Sequence, residues 1–120
     1  MKPTIEWRPL TPREREIIHV LVRAPFQGQS ALQQQLADAR AMELDDRHNL
    51  AIRPSGGSAP ACVTSRIPVE AETEDSDGVL VHILIHVVGG YINEVEVYRE
   101  DSAPLLAPLD PTQLRVVPTD

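Results

Sequence analysis

The sequence predicts an α+β fold with two N-terminal helices packed on one face of an antiparallel sheet of four to six strands. Apolar residues recur at helical spacing near the N-terminus, and from residue 40 onward they alternate with polar residues. Turns rich in Gly, Asp and Pro separate the alternating segments. The length of 120 residues is typical of one domain, so we expect a single domain over residues 1–120.

The first helix is predicted over residues 12–24. Thr11 caps it, Pro12 suits the first helical position, and Glu14 occupies the capping-box position. Pro25 ends the helix, because the residue before a proline disfavours helical geometry.

The second helix is predicted over residues 30–38. Ser30 and Gln33 repeat the capping-box pattern, and Leu32 and Leu36 lie on one side of the helix. The two helices form a hairpin that must bury its apolar side against another element.

The strands are predicted at residues 40–44, 50–53, 66–72, 79–88, 91–99 and 113–117. The first two form a hairpin around the polar residues 45–49. Pro68 places the third strand at an edge or a bulge, since proline cannot donate to a strand ladder. We expect residues 2–10 to be irregular, and the Gly, Ser and Pro residues of 54–62 to form a flexible loop.

The register of the last long hairpin follows from its glutamates. A two-residue loop, 89–90, places Glu94 and Glu96 opposite core residues, and burying an unpaired carboxylate costs several kcal/mol. We therefore predict a three-residue loop, 88–90, with Gly90 in a bulge. The resulting pairs are Ile85 with Asn93, Ile83 with Val95, Leu84 with Glu94, and His82 with Glu96.

The charge is negative and unevenly distributed. The net charge is −7, and residues 54–120 hold eleven acidic residues against three arginines. Such a surface excludes nucleic acid as a partner, because phosphate contacts need clustered Lys and Arg. It favours a basic protein partner, which the acidic half would attract.

We expect neither a membrane-spanning segment nor an export signal. The longest apolar run, residues 79–88, is too short to cross a bilayer. The N-terminus has no apolar signal segment, so we expect a cytoplasmic protein.

No motif indicates a metal, a cofactor or a catalytic site. His82 and His86 lie ~13 Å apart on a strand, too far to share one ion. The acidic turn 75–78 does not match a calcium loop, and Cys62 lies beside the flexible segment with no base nearby. We therefore expect no metal ligand, no cofactor and no catalytic residue.

The strongest candidate site is a polar surface on the last two long strands. Carboxylates and a tyrosine share one side of the second strand, and two histidines lie on its neighbour. The predicted binding residues are His82, His86, Glu94, Glu96, Tyr98 and Asp101.

This region also carries a resemblance. Asp77-Gly78, the run Leu84-Ile85-His86-Val87, Gly90 and the stretch Asn93 to Asp101 resemble an uncharacterised family of small bacterial proteins with an E-L-E-x-Y-R-x-D-like strand. The likeness covers about residues 10–102, although Val95 stands for the family leucine and Ser102 for the final glycine. It implies the same α+β layout and a bacterial origin, and no activity is established for the family.

We therefore predict a protein of unknown function that is a non-enzymatic protein-binding or immunity-type module. The alternative is a small-molecule-binding protein or enzyme with a pocket between helices and sheet. A third hypothesis is a homodimer that pairs its sheet edges or faces.

Overall fold

The computed structural model describes residues 6–118 of the chain. In that part it contains two α-helices and one seven-stranded sheet in which every pairing is antiparallel. An α+β fold with an antiparallel sheet is therefore confirmed, with seven strands rather than four to six. The elements are β1 (Arg8–Pro9), α1 (Pro12–Val22), α2 (Gln29–Gln35), β2 (Arg40–Glu43), β3 (Leu50–Arg53), β4 (Val69–Glu74), β5 (Leu80–Val88), β6 (Tyr91–Arg99) and β7 (Arg115–Pro118), with a 3₁₀ turn at Pro111–Gln113.

The sheet order is β1-β2-β3-β6-β5-β4-β7. Two details correct the sequence prediction. The segment expected to be irregular contains β1, whose Arg8 pairs with Ala41 of β2. Strand β4 is not at an edge, because it begins at Val69, after Pro68, and pairs with both β5 and β7.

Helix α1 begins as predicted. The Thr11 side chain accepts a hydrogen bond from the Glu14 amide, and the Glu14 carboxylate accepts one from the Thr11 amide. The helix ends at Val22, two residues earlier than predicted, with Arg23 as its C-cap.

Helix α2 begins one residue earlier than predicted, and its cap is not Ser30. The N-cap is Gly28, which is left-handed at φ 88° and makes no side-chain cap. A Cβ at Gly28 would lie 2.9 Å from Val63 Cγ1. The close packing of the β3–β4 connection against this position therefore requires glycine. Leu32 and Leu36 are both fully buried, as predicted.

The core lies between the two helices and one face of the sheet. The helices contribute their apolar sides, and each long strand contributes alternate residues. The central members are Ile18, Leu21, Val22, Leu32, Leu36, Ala41, Ile52, Val69, Ala71, Val81, Ile83, Ile85, Ile92, Val95 and Val97. None of the helices in the described chain is long and apolar enough to cross a membrane.

The β5–β6 hairpin has the two-residue loop Gly89-Gly90, so the predicted three-residue loop is wrong. Val87 pairs with Ile92 and His86 pairs with Glu94, which leaves Asn93 as an extra residue in a bulge. The observed pairs are Ile85 with Val95, Leu84 with Glu96, Ile83 with Val97, and His82 with Tyr98. The bulge reconciles the short loop with the core, because it buries Ile92 and still turns the glutamates away from it.

The side chain of Gln35 links segment 54–62 to the β5–β6 hairpin through hydrogen bonds. The buried amide donates to the Ala59 and Gly90 carbonyls and accepts from the Ile92 N–H. The Ala61 amide also donates to the Gly90 carbonyl at 2.7 Å.

Candidate functional site

The sheet face opposite the helices carries a dense set of polar side chains, which we call the open face. Strands β4, β5 and β6 present their alternate residues here, because the other set points into the core. The polar residues of the open face are Glu70, Glu72, Glu74, His82, His86, Glu94, Glu96 and Tyr98, and Leu84 lies among them.

His86 lies at the centre of a hydrogen-bonded chain on the open face. Arg66 Nε donates to His86 Nδ1 at 3.0 Å, and His86 Nε2 lies 2.8 Å from Glu96 Oε1. Because Arg66 can only donate, the imidazole proton belongs on Nε2, which donates to Glu96. Glu94 is the cross-strand neighbour of His86, and its carboxylate has no hydrogen-bond partner within residues 6–118.

His82 forms a second group. It stacks on its cross-strand neighbour Tyr98, with the ring centroids 5.0 Å apart, and its Nε2 lies 2.8 Å from Glu100 Oε1. The predicted pair of His82 with Glu96 is therefore wrong, because the shorter loop and the bulge each shift the partners on β6 by one residue. Burial and the nearby carboxylates of Glu70, Glu96 and Glu100 raise the pKa of Tyr98, so its phenol stays neutral at pH 7.

The open face has a net negative charge. Six glutamates lie on it or reach over it, and the two arginines that contact them or the histidines are Arg66 and Arg115. Arg115 lies 3.5 Å from Glu72 near the β7 edge, so the centre around Glu94 and Glu96 keeps excess negative charge.

His86, Glu94 and Glu96 form a group of metal-type donors, with ligand atoms within 4.8 Å of one another. A metal on His86 Nε2 would move the imidazole proton to Nδ1, where Arg66 Nε–H already points. The arginine charge also opposes a cation at this position. The donors therefore fit a metal poorly while Arg66 is in place.

Asp101 lies apart from the other five predicted residues. It bonds to Arg99, which is 4% exposed and also contacts Asp75 and Asp77. Hydrogen bonds from Arg99 hold the pKa of Asp101 at about 2. The backbone amide of Leu106, together with Arg99, holds the pKa of Asp75 at about 2 as well. We interpret this cluster as a structural anchor for the chain after β6.

A cavity of about 360 Å³ lies on the helix side of the sheet, between α1, the β2–β3 hairpin, β6 and the loop at residues 108–109. Its floor is apolar and consists of Ile17, Ile18, Leu50, Val95, Val97 and Leu109. Its rim is mostly acidic and consists of Thr11, Arg13, Glu14, Glu43, Asp45, Asp46 and His48.

Two of the four rim carboxylates are held by Arg8, which bonds to Glu14 at 2.8 and 2.9 Å and to Glu43 at 3.2 Å. Burial pushes the pKa of Asp45 upward, but hydrogen bonds from Asn49 and Arg47 outweigh it and lower the pKa. Within residues 6–118, Asp46 has no hydrogen-bond or ion-pair partner.

Sequence reasoning identified the carboxylates and histidines of β5 and β6 but missed several contributors. Arg66 and Glu100 lie outside the two strands, and the spacing of the strand residues says nothing about them. The alternation Val69–Glu70–Ala71–Glu72 does signal that Glu70 and Glu72 share the open face. The rim residues Asp45, Asp46 and His48 looked only like a polar hairpin loop.

The fold and the open face define a small α+β protein with a one-sided antiparallel sheet and an acidic outer surface. The chain belongs to the family described as a domain of unknown function (DUF6984), whose model matches residues 7–108. The match includes β1 to β6 and the whole rim of the cavity, and it ends before β7. The uncharacterised nature of the family is therefore confirmed. No curated protein and no solved structure matches the chain.

Proposed function

We propose that this protein is a non-enzymatic module that binds a basic protein through its open face. The observation that carries the proposal is the acidic sheet face around His82, His86 and Tyr98, which no helix of the described chain covers. An immunity-type role, in which the acidic face covers a basic surface of a toxin, is the specific form of this function that we favour.

The physical basis is electrostatic attraction to a rigid surface. Excess negative charge steers a basic partner and raises its association rate. The hydrogen bonds of His86 and His82 to Glu96 and Glu100 fix these carboxylates before a partner arrives. Less ordering entropy is then lost on binding.

Tyr98 supplies an apolar anchor within the charged face. Its side chain is 41% exposed and lies beside Leu84, which is nearly buried among the polar groups. Interface hot spots are enriched in tyrosine at positions surrounded by polar residues. A partner that combines basic side chains with a central apolar contact fits this arrangement.

Both open-face histidines have Nε2 engaged, and His86 is poorly placed for acid–base catalysis. Both nitrogens of His86 are engaged, one by Arg66 and one by Glu96. His82 Nε2 is held by Glu100. A general base needs a free nitrogen directed at a substrate, and His86 does not offer one.

The test is capture from a lysate of the source organism on three immobilised proteins. These are the wild type, the open-face variant Glu94→Lys/Glu96→Lys, and the control variant Glu16→Lys/Asp38→Lys, which makes the same charge change at exposed positions elsewhere. Captured proteins are identified by mass spectrometry, then purified and titrated against each variant. Circular dichroism confirms that the variants fold.

We expect a basic protein that the wild type and the control variant retain and the open-face variant loses. A purified partner that binds the open-face variant as tightly as the wild type would overturn the proposal, as would capture of nothing by any of the three. Sedimentation is run in parallel. A dimer that the open-face variant abolishes would assign this face to a second copy of the chain instead.

A further inference from the structure

We propose that the cavity beneath α1 binds a small organic amine with an apolar body, and that Asp46 contacts the ammonium group. This site lies on the opposite side of the sheet from the open face and does not depend on the proposed function. The chemical class follows from the floor, the rim and the volume of the cavity.

The apolar floor of the cavity favours a ligand with an apolar body. Ile18, Leu50, Val95 and Val97 are each at most 5% exposed, and residues 6–118 leave the space above them unfilled. Apolar walls beside empty space lose dispersion contacts, which an apolar ligand restores. The volume of about 360 Å³ lies in the range of small-molecule sites. It is more than twice the ~150 Å³ cavity that accommodates benzene in an engineered protein.

The acidic rim of the cavity favours a ligand with a positive charge. Four carboxylates line the cavity against one cation, Arg13. Arg13 is itself opposed by Asp110, since it contributes to lowering the pKa of Asp110, although hydrogen bonds from Thr112 lower that pKa more. Arg8, which bonds to Glu14 and Glu43, and Arg47, which helps to lower the pKa of Asp45, add two further positive charges. With Asp110 also counted, the local excess is two negative charges. An anionic ligand is therefore repelled and a cationic one attracted.

Asp46 is the carboxylate available to the ligand, because it has no other partner within residues 6–118. The hairpin that carries it is fixed in place. Asn49 Nδ2 donates to Asp45 at 2.7 Å, and Asn49 Oδ1 accepts from the Val97 amide of β6 at 2.6 Å. The β2–β3 loop, which carries Asp46, is therefore hydrogen-bonded to β6 at the floor of the cavity, and this holds Asp46 at the cavity mouth.

The probe is 2-phenylethylamine, which combines one aromatic ring with one ammonium group. The comparison compounds are 2-phenylethanol, which is neutral, and 3-phenylpropionate, which is anionic. Each is titrated into the ¹⁵N-labelled full-length protein and followed by two-dimensional NMR. We expect amide shifts at the lining residues, a dissociation constant of ~1 mM or tighter for the amine, and at least ~10-fold weaker binding of the carboxylate.

Two variants locate the ammonium contact. Asp46→Asn should weaken amine binding about two- to fivefold, the range for one exposed ion pair, and should not change binding of the alcohol. Asp38→Asn removes an exposed carboxylate that does not line the cavity, and it should leave both affinities unchanged. Both substitutions are at exposed positions, so folding is not at risk.

Three results would overturn the proposal. The first is tighter binding of the carboxylate or the alcohol than of the amine. The second is an equal loss of amine binding in both variants, which would indicate a nonspecific charge effect. The third is the absence of shifts at the lining residues with any of the three compounds.

Discussion

Replacing Arg99 with methionine tests the buried charge cluster at the end of β6. Arg99 is 4% exposed and makes five hydrogen bonds to the carboxylates of Asp75, Asp77 and Asp101, between 2.6 and 3.1 Å. Methionine keeps much of the side-chain length and removes the charge and all five donors.

The expected loss is set by Asp75. Its side chain is 2% exposed, so without Arg99 a carboxylate remains buried without its cation. Breaking a buried pair in this way costs ~3–5 kcal/mol. Asp75 keeps three backbone donors, from Ser76, Leu106 and Ala107, which places the loss near the lower end of that range.

Asp77 and Asp101 add little to the loss, because their side chains are 39% and 46% exposed and can be hydrated. We therefore expect the free energy of unfolding to fall by about 3 kcal/mol, which corresponds to a decrease in Tm of about 10–15 °C for a domain of this size.

The assay is guanidinium unfolding followed by circular dichroism. The matched control is Arg23→Met, which removes an exposed arginine at the end of α1 and should change stability by less than ~0.5 kcal/mol. A loss below ~1 kcal/mol for Arg99→Met would refute the reasoning, because Asp75 would then not depend on its cation. Hydrogen exchange at the Leu106 and Ala107 amides should also accelerate in Arg99→Met.

Two further predictions concern the loss of stability at low pH and the requirement for glycine at position 90. Because the folded-state pKa values of Asp75 and Asp101 are about 2 against an ordinary 3.8, their contribution is present above about pH 4 and is lost as the pH falls toward 2. Urea midpoints measured between these pH values should fall steeply for the wild type and less for Arg99→Met, and equal slopes would contradict the assignment. Gly90→Ala should destabilise by at least ~1 kcal/mol more than Gly57→Ala. Both glycines are left-handed, but a Cβ at Gly90 would lie 2.7 Å from Pro60 Cβ while one at Gly57 meets nothing within 4 Å. The test is thermal unfolding of the two variants. Similar Tm values would show that the close packing of Gly90 against Pro60 does not require glycine.

Features encoded by short-range signals were predictable from the sequence. The Thr11 capping box needs only four consecutive residues, and the alternation along β5 and β6 fixes which side chains share a face. Gly28 as an N-cap could not be foreseen, because it follows from contact with Val63, which is distant in sequence. The two-residue strand β1 is too short for any periodicity.

In the β5–β6 hairpin the orientation of the glutamates was predicted correctly, but the loop length was not. Glu94 and Glu96 do face away from the core, as predicted. A bulge at Asn93 allows this orientation as well as a longer loop does, and the sequence does not distinguish the two. Five of the six candidate residues still share one face of the sheet, because they alternate along the two paired strands. Asp101 lies beyond the end of β6, where Arg99 holds it.

The alternation of β6 also makes the two proposed sites independently testable. Glu94 and Glu96 lie on the open face, whereas Val95 and Val97 lie on the floor of the cavity. Reversing the charge of the two glutamates should therefore abolish capture of a basic protein and leave the affinity for 2-phenylethylamine nearly unchanged. Asp46→Asn should leave capture of the basic protein unchanged and weaken amine binding about two- to fivefold. If the open-face variant lost amine binding while the wild type kept it, the amine would be bound by the open-face carboxylates, and the cavity would lose its assigned ligand.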